Sequence, residues 1–233
     1  MTAIAGSTVL VTGGSRGIGK ALVEALYTRG ANKVYATARD PRSIEHPDAV
    51  ALALEVTDPA SVAAAAEQAQ DVTILINNAG TAIEASFLTS PVDDIRREFE
   101  TNFYGPLQMT RAFVPIIEAN GGGHLLTVHS VLSWIALAGS YSASKAALWS
   151  QTNSLRLGLK PRGIHVTGLH VGYVDTDLAA HVTAPKTSPH SVAEQALDGI
   201  ESDAWEVLAD ERSRQVKTGL AGDLATMYPQ LAG

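Results

Sequence analysis

Short runs of β-branched and aliphatic residues alternate along this chain with longer segments of helical pattern. That alternation restricts the fold more than any other feature. The strand-like runs are STVLVTG (7–13), KVYATA (33–38), VALALEV (50–56), VTILINNAG (72–80), GHLLTVHS (123–130), IHVTGLHV (164–171) and WEVLA (205–209). Helical patterns cover 17–29, 58–70, 91–118, 141–159 and 191–201, with Asp58 as an N-cap and Pro161 as a stop. Only a short connection joins the second and third runs. Strands apolar on both faces belong in a parallel sheet covered by helices on both sides. The expectation is one α/β domain over 1–233, a doubly wound parallel sheet of about seven strands.

A chain of 233 residues can bury a sizeable core in one such domain. Its composition, 45% hydrophobic and 18% charged, is globular rather than disordered. The formal net charge of −7 disfavours nucleic acid or an anionic membrane as the main partner. No apolar run approaches a membrane span. With no Cys, disulfides, thiolate catalysis and Cys-ligated metals are excluded. The seven His show no spacing such as H-E-x-x-H, so no metal site is expected. The opening MTAIAGSTVLVTGG lacks a basic stretch before its apolar run, so no signal peptide is expected and a cytoplasmic protein is.

The loop TGGSRGIG, Thr12 to Gly19, follows the first strand and opens the first helix. Gly13, Gly17 and Gly19 put no side chain in the way of a phosphate. The helix behind them offers free N–H groups and the positive end of its dipole. Alone, such a loop is either a dinucleotide site or a glycine-rich turn. Far downstream, in YSASKAALW, Tyr141 and Lys145 stand four residues apart on one helical face. A free phenol titrates near pH ~10, and a neighbouring ammonium favours its phenolate. Lowering that value by about 3 units takes roughly 4 kcal/mol. Lys145 is expected to supply part of it.

The spacing TGxxxGxG, followed by NNAG (Asn77 to Gly80) and then Tyr-x-x-x-Lys, resembles the short-chain dehydrogenase/reductase family. The resemblance runs from Thr12 to about Leu208. It implies a Rossmann-type fold and hydride transfer between a nicotinamide cofactor and a carbonyl or secondary alcohol. By that resemblance Tyr141 is the acid/base, while Lys145 binds the nicotinamide ribose and tunes Tyr141. Gly13, Ser15, Arg16, Gly17, Ile18 and Gly19 hold the phosphates, Glu55 and Val56 flank adenine, and Asn78, Ala79 and Gly80 pass beside the cofactor. Asn77 props the sheet. Val174 and Thr176 hold the carboxamide, after a loop entered by Val171-Gly172 where the family usually has Pro-Gly.

Cofactor choice is read at the end of the second strand. An acidic residue there binds the adenosine ribose diol and repels a 2′-phosphate. This chain has Ala38 and Arg39, with no carboxylate until Asp40, and Arg16 stands in the glycine loop. Two guanidiniums there either clamp a 2′-phosphate or are plain surface arginines. NADP-preferring members carry basic residues at both positions, so NADP(H) is the expected cofactor.

The family also uses a serine before the tyrosine. Ser130 directly follows the fifth strand and is preferred; Ser133 is its rival and Ser140 a more remote one. On the long helix, the apolar face reads Ile95, Phe99, Phe103, Pro106, Met109 and Phe113, with Asn102 beside it. Pro106 has no N–H, so the Asn102 carbonyl lacks its usual helical donor, and Gly105 loosens the turn further. Asn102 is then either a satisfied core residue at a kink or, as the resemblance implies, the holder of a water that relays protons from Lys145.

The segment VLSWIALAG precedes Tyr141. Leu132, Trp134, Ile135 and Leu137, with Tyr173 across, either wall a substrate pocket or fill core or a subunit contact. No Arg or Lys marks this loop, which disfavours a strongly anionic substrate. A hydrophobic or aromatic ketone, aldehyde or secondary alcohol is the expected partner. Residues 177–190, with Pro185 and Pro189, are expected to form a mobile lid. Small residues at Ala143, Ala147, Ser150 and Ser154 permit close helix approach, and the family resemblance implies a homodimer or homotetramer. The competing reading is a dinucleotide sensor without turnover, which needs neither Tyr141 nor Lys145.

Overall fold

The structure, a computed structural model, describes residues 1–231. Its centre is a parallel sheet of strands β1 (Thr8–Val11), β2 (Lys33–Ala38), β3 (Val50–Ala53), β4 (Ile74–Asn77), β5 (Gly123–Val128), β6 (Ile164–His170) and β7 (Glu206–Leu208). The order is β3-β2-β1-β4-β5-β6-β7. Winding reverses between β1 and β4, and a parallel sheet opens its ligand crevice at the carboxyl ends of strands at such a point.

Successive strand residues point to opposite faces, and here both faces are apolar. Val9 and Val11 pack with α1 (Gly17–Thr28) and α6 (Pro189–Glu201) through Leu22, Leu26, Val192 and Leu197. Leu10, between them in sequence, joins Val62 of α2 (Pro59–Gln68) and Met109, Phe113 and Ile117 of α4 (Gly105–Ala119) on the other face. The doubly wound sheet expected from the strand pattern is therefore what the chain forms. Among the described residues no helix is long and apolar enough to cross a membrane.

The segment 91–118, read above as one helix, is interrupted. It comprises α3 (Val92–Phe99), a π-helical turn over Glu100–Tyr104, and α4, with the Gly105 N–H donating to the Glu100 carbonyl. Pro106 withholds a donor at this point, and the ladder shifts by one residue to pass it. Gly105 fits against Val56, whose Cγ2 would lie 2.9 Å from a Cβ at that position. The shift rotates the faces: Ile95, Phe99 and Phe103 are only half-buried, whereas Glu98 and Asn102 are fully buried.

Helix α5 (Gly139–Leu159) starts two residues before the expected boundary, at a glycine with φ +47°. A Cβ there would collide with the Ala85 carbonyl, so Gly139 lets the loop after β4 lie against the helix start. Part of the segment expected as a lid, 177–190, belongs to ordered elements: Asp177–Ala179 form a short helical turn, and the segment's last two residues open α6. A bridge between Val174 and Thr187 closes its base, and Ser188 caps α6, which begins at Pro189. Two helices beyond β7, α7 (Glu211–Gly219) and α8 (Leu224–Met227), had no counterpart in the sequence reading; ERSRQVKTG carries no apolar stripe to announce one.

Candidate active site

A cleft of about 1140 Å³ runs across the carboxyl ends of the strands, from the glycine loop to the start of α5. Its floor is tied together by Thr12 and Asn78. The Thr12 hydroxyl accepts from the N–H groups of Asn78 and Ala79, each at 2.9 Å, and Asn78 Nδ2 donates to the carbonyls of Thr12 and Gly13 at 2.8 and 3.1 Å. Gly13 and Gly17 adopt φ +67° and +53°, and a Cβ at Gly19 would collide with the Gly13 carbonyl, so all three glycines are needed for the turn itself. No side chain caps the N-terminus of α1. Its first N–H groups are therefore free for an anion, and the cleft meets the loop where a pyrophosphate fits.

Every residue expected to hold the cofactor borders this one cleft. Ser15, Arg16, Gly17 and Ile18 line it beside Gly13 and Gly19. Arg39, Glu55 and Val56 line it along β2 and β3, and Asn78, Ala79 and Gly80 beyond β4. Val174 and Thr176 close the far side, where Thr176 Cγ2 would stand 3.0 Å from a Cβ at Gly17. Glu55 accepts from the N–H and hydroxyl of Thr57 at 3.2 and 3.0 Å, which fixes its carboxylate locally.

At the strand-two end, Asp40 turns to Arg42. Its two oxygens take Arg42 Nε and Nη2, each at 2.9 Å, and it caps the short turn Pro41–Ser43. Arg39 borders the cleft exposed and, among the described residues, without an ion-pair partner. Arg16 makes an exposed pair with Asp177 at 3.2 Å.

Ser130, Tyr141 and Lys145 all border the cleft, beyond Gly80. Lys145 is buried; its Nζ donates to the Val128 carbonyl at 3.0 Å and lies 5.8 Å from the centre of the Tyr141 ring. Lys145 does not lower the phenol as expected. Burial pushes Tyr141 up to about 12, opposed by the Ser130 hydroxyl and reinforced by the carboxylates of Glu98 and Glu84. Burial also brings Lys145 down to about 8, with Glu98 opposing. Desolvation therefore dominates both groups in the protein alone.

The three candidate serines have different surroundings. Ser130 borders the cleft, and its hydroxyl accepts from the Leu132 N–H at 3.1 Å. Ser133 is buried away from the cleft and accepts from the Ser130 N–H at 3.3 Å, completing a capping box. Ser140 is fully buried and donates to Glu98. Asn102 is buried behind the cleft. Its Nδ2 donates to the Thr81 carbonyl at 2.9 Å and to the Ser144 hydroxyl at 3.0 Å, and its Oδ1 accepts from the Thr81 N–H at 2.9 Å. Its side chain is thus satisfied, whereas Pro106 cannot supply its carbonyl.

The expected pocket wall is partly corrected. Leu132, Ile135, Leu137 and Tyr173 border the cleft, but Trp134 does not. Its ring stacks on His170 with centroids 4.0 Å apart and meets Trp149 edge-on, so apolar and aromatic contact draws it into the core. Sequence reasoning missed Arg212, which α7 brings to the cleft beside Ile135 and Leu137, so the site is not free of cations on that side. It also missed Glu98. The available signal was its place four residues before Asn102 on an inward-facing helix.

A family profile described as short chain dehydrogenase matches residues 7–187. The chain belongs to the short-chain dehydrogenase/reductase family. Among curated relatives, the ketoacyl reductase HetN of Nostoc sp. is 30% identical, over 91% of this chain and 81% of its own. A crystal structure of a short chain dehydrogenase from Burkholderia cenocepacia J2315, in complex with NADP, has 36% identity, a TM-score of 0.94 and full coverage of both chains. An NADPH-bound carbonyl reductase from chicken fatty liver has 30% identity and a TM-score of 0.76, over 84% of this chain and 91% of its own. Family membership carries NAD(P)-dependent oxidoreduction with it.

Proposed function

We propose that this protein is an NADPH-dependent carbonyl reductase, interconverting a hydrophobic or aromatic ketone or aldehyde with its alcohol. The reading rests on one juxtaposition: Ser130, Tyr141 and Lys145 border the same cleft as a glycine loop whose helix start is uncapped. NADP(H) as cofactor is supported by the exposed Arg39 and Arg16, by the engagement of Asp40 with Arg42, and by the NADP and NADPH bound in the two crystallised relatives. Arg16, Gly17 and Ile18 would hold its phosphates, with Arg39 on the 2′-phosphate, and Lys145 its nicotinamide ribose. Bound NADPH supplies the hydride.

The protein's own part is proton transfer and orientation. The Ser130 hydroxyl donates to the substrate carbonyl oxygen and aligns it toward Tyr141. Tyr141 then gives its proton to that oxygen, a task suited to a group held protonated at neutral pH. Lys145, brought down to about 8, is poised to pass a proton onward near physiological pH. Asn102 holds Ser144, the residue beside Lys145, and its own carbonyl, to which Pro106 cannot donate, is offered to a water in the relay. Leu132, Ile135, Leu137 and Tyr173 receive the apolar part of the substrate. The segment between Val174 and Thr187 serves as the lid, and a homo-oligomer in the cytoplasm is the proposed setting.

The test is NADPH oxidation, followed by absorbance, with a panel of aromatic and aliphatic ketones and aldehydes. Turnover is expected, falling at least ~100-fold in Tyr141→Phe, the scale of general-acid catalysis. Tight NADPH binding with no turnover across the panel favours the dinucleotide-sensor reading instead.

A further inference from the structure

We propose that Glu98 is the positioning residue of this site: its buried carboxylate anchors the start of α5 through Ser140 and sets the electrostatic field around Tyr141 and Lys145. The inference rests on the active-site reading above and extends it to a residue that never meets the cleft.

Glu98 is completely buried. One oxygen accepts from the Ile83 N–H at 2.6 Å and the Glu84 N–H at 3.4 Å, and the other from the Ser140 hydroxyl. All three partners are donors, the arrangement suited to an ionised carboxylate. Among the described residues no Lys or Arg pairs with it; its neighbours Arg96 and Arg97 face outward to Asp93 and Asp94. An apolar side chain would pack the same helix face without the cost of burying a charge. A role beyond packing accounts for the acid.

The geometry supplies that role. Glu98 and Asn102 are four residues apart on one helical segment, and Ser140 and Ser144 four apart on α5. They pair as rungs, Glu98 with Ser140 and Asn102 with Ser144. Tyr141 and Lys145 are the next residues after the two serines. The loop after β4 is stitched into the same ladder: Ala85 donates to the Ser140 hydroxyl at 3.0 Å, and Ser140 N–H to the Ala85 carbonyl at 3.0 Å. Each proposed catalytic residue thus has its neighbour fastened to a buried polar anchor, and only the Tyr141 rung carries charge.

Several charged or titratable groups face Tyr141. Lys145 comes from its own helix, Glu84 from the loop after β4 and Glu98 from α3; His129, Tyr173, Arg212, His181 and His190 border the same cleft. Among the carboxylates, Glu98 acts on both partners: it raises the Tyr141 phenol and opposes the fall of Lys145. Both effects favour a protonated Tyr141 beside a charged Lys145, the state required for carbonyl reduction.

The test titrates the Tyr141 phenolate by its ultraviolet band, as the difference between each protein and its Tyr141→Phe counterpart, with and without saturating NADP. This readout needs no substrate, so it is independent of whether the ketone panel finds turnover. Glu98→Gln keeps the shape and removes the charge; its Tyr141 midpoint is expected to fall by about one pH unit. The rising limb of the pH profile for alcohol oxidation, which needs the phenolate as base, should move down with it. A midpoint unchanged from wild type in folded Glu98→Gln overturns the proposal, as does a larger fall in Glu84→Gln. Glu98→Asp keeps the charge but shortens the reach to Ser140. It is expected to hold the midpoint while lowering kcat about tenfold, and a wild-type kcat there overturns the anchoring half even if Glu98→Gln does not fold.

Discussion

Asn102 Nδ2 donates to the Ser144 hydroxyl at 3.0 Å, and so fixes the residue beside Lys145 to the π-helical turn. The same side chain pairs twice with Thr81, so one amide joins the loop after β4, the turn and α5. Asn102→Ala is expected to cost about 2–4 kcal/mol, since it strands several buried partners at once. It should also lower kcat at least ~10-fold by releasing the helix around Lys145. Chemical denaturation and steady-state kinetics check the two effects separately, and full stability with full kcat would refute both.

Gly80 lies between these groups. A Cβ there would stand 3.3 Å from Asn102 Oδ1 and 3.6 Å from Lys145 Nζ. The first distance forces the amide to give by a few tenths of an ångström. Gly80→Ala is expected to reduce kcat by about tenfold while stability changes by less than ~1 kcal/mol, because the strain falls on two placed side chains rather than on the core. The measurement is kcat against thermal midpoint.

Ser130 and Ser133 give opposite expectations despite one capping box. Ser133 faces inward onto the Ser130 N–H, so Ser133→Ala should cost about 0.5–2 kcal/mol and leave kcat within about threefold. Ser130 borders the cleft near Tyr141, so Ser130→Ala should cost about 100-fold in kcat with little change in KM for NADPH. The reverse pattern would make Ser133 the serine that meets substrate.

Much of this arrangement was legible in the chain, for identifiable physical reasons. Fully buried parallel strands announce themselves as apolar runs, and a phosphate loop leaves glycines at fixed places. Trp134 and Glu98 were not legible. An aromatic side chain in a loop carries no direction, and Trp134 follows His170 and Trp149 rather than the cleft. A charged residue on a helix is assigned to solvent by default, and the π-helical turn ahead of Pro106 puts Glu98 on the same buried side as α4 by a one-residue shift that periodicity does not encode. The high Tyr141 value was hidden too, because depth of burial is set by the whole fold.

The Arg16–Asp177 pair bears on cofactor affinity. Both side chains are largely exposed, at 72% and 77%, so the pair is weak. Asp177 nevertheless competes for a guanidinium proposed to meet phosphate. Asp177→Asn is expected to lower KM for NADPH about two- to fivefold at low salt, an advantage that fades as ionic strength rises. Arg39→Ala should weaken NADPH by at least ~10-fold and NADH by less than about threefold. Equal losses for the two cofactors would remove the phosphate clamp.

Acid should loosen the fold before most carboxylates titrate. His170 is fully buried between Trp134 and His129, and burial brings it down to about 3 against the opposing charge of Glu206. His124 is likewise buried and brought down to about 3, its ring nitrogens held by Thr167 at 2.8 Å and Thr2 at 3.1 Å. In the unfolded chain both take a proton near pH ~6.5. Between that value and about 3 the unfolded state holds the extra protons, so stability is intact above pH ~6.5 and declines as pH falls through that window. Each group contributes a slope of up to about 1.4 kcal/mol per pH unit. Thermal midpoints are therefore expected to drop steadily from pH ~6.5 toward pH ~4.5, and His170→Gln should flatten the profile while lowering its plateau. A midpoint that stays level down to pH ~4.5 would mean that these rings take up protons in place, against the burial seen here.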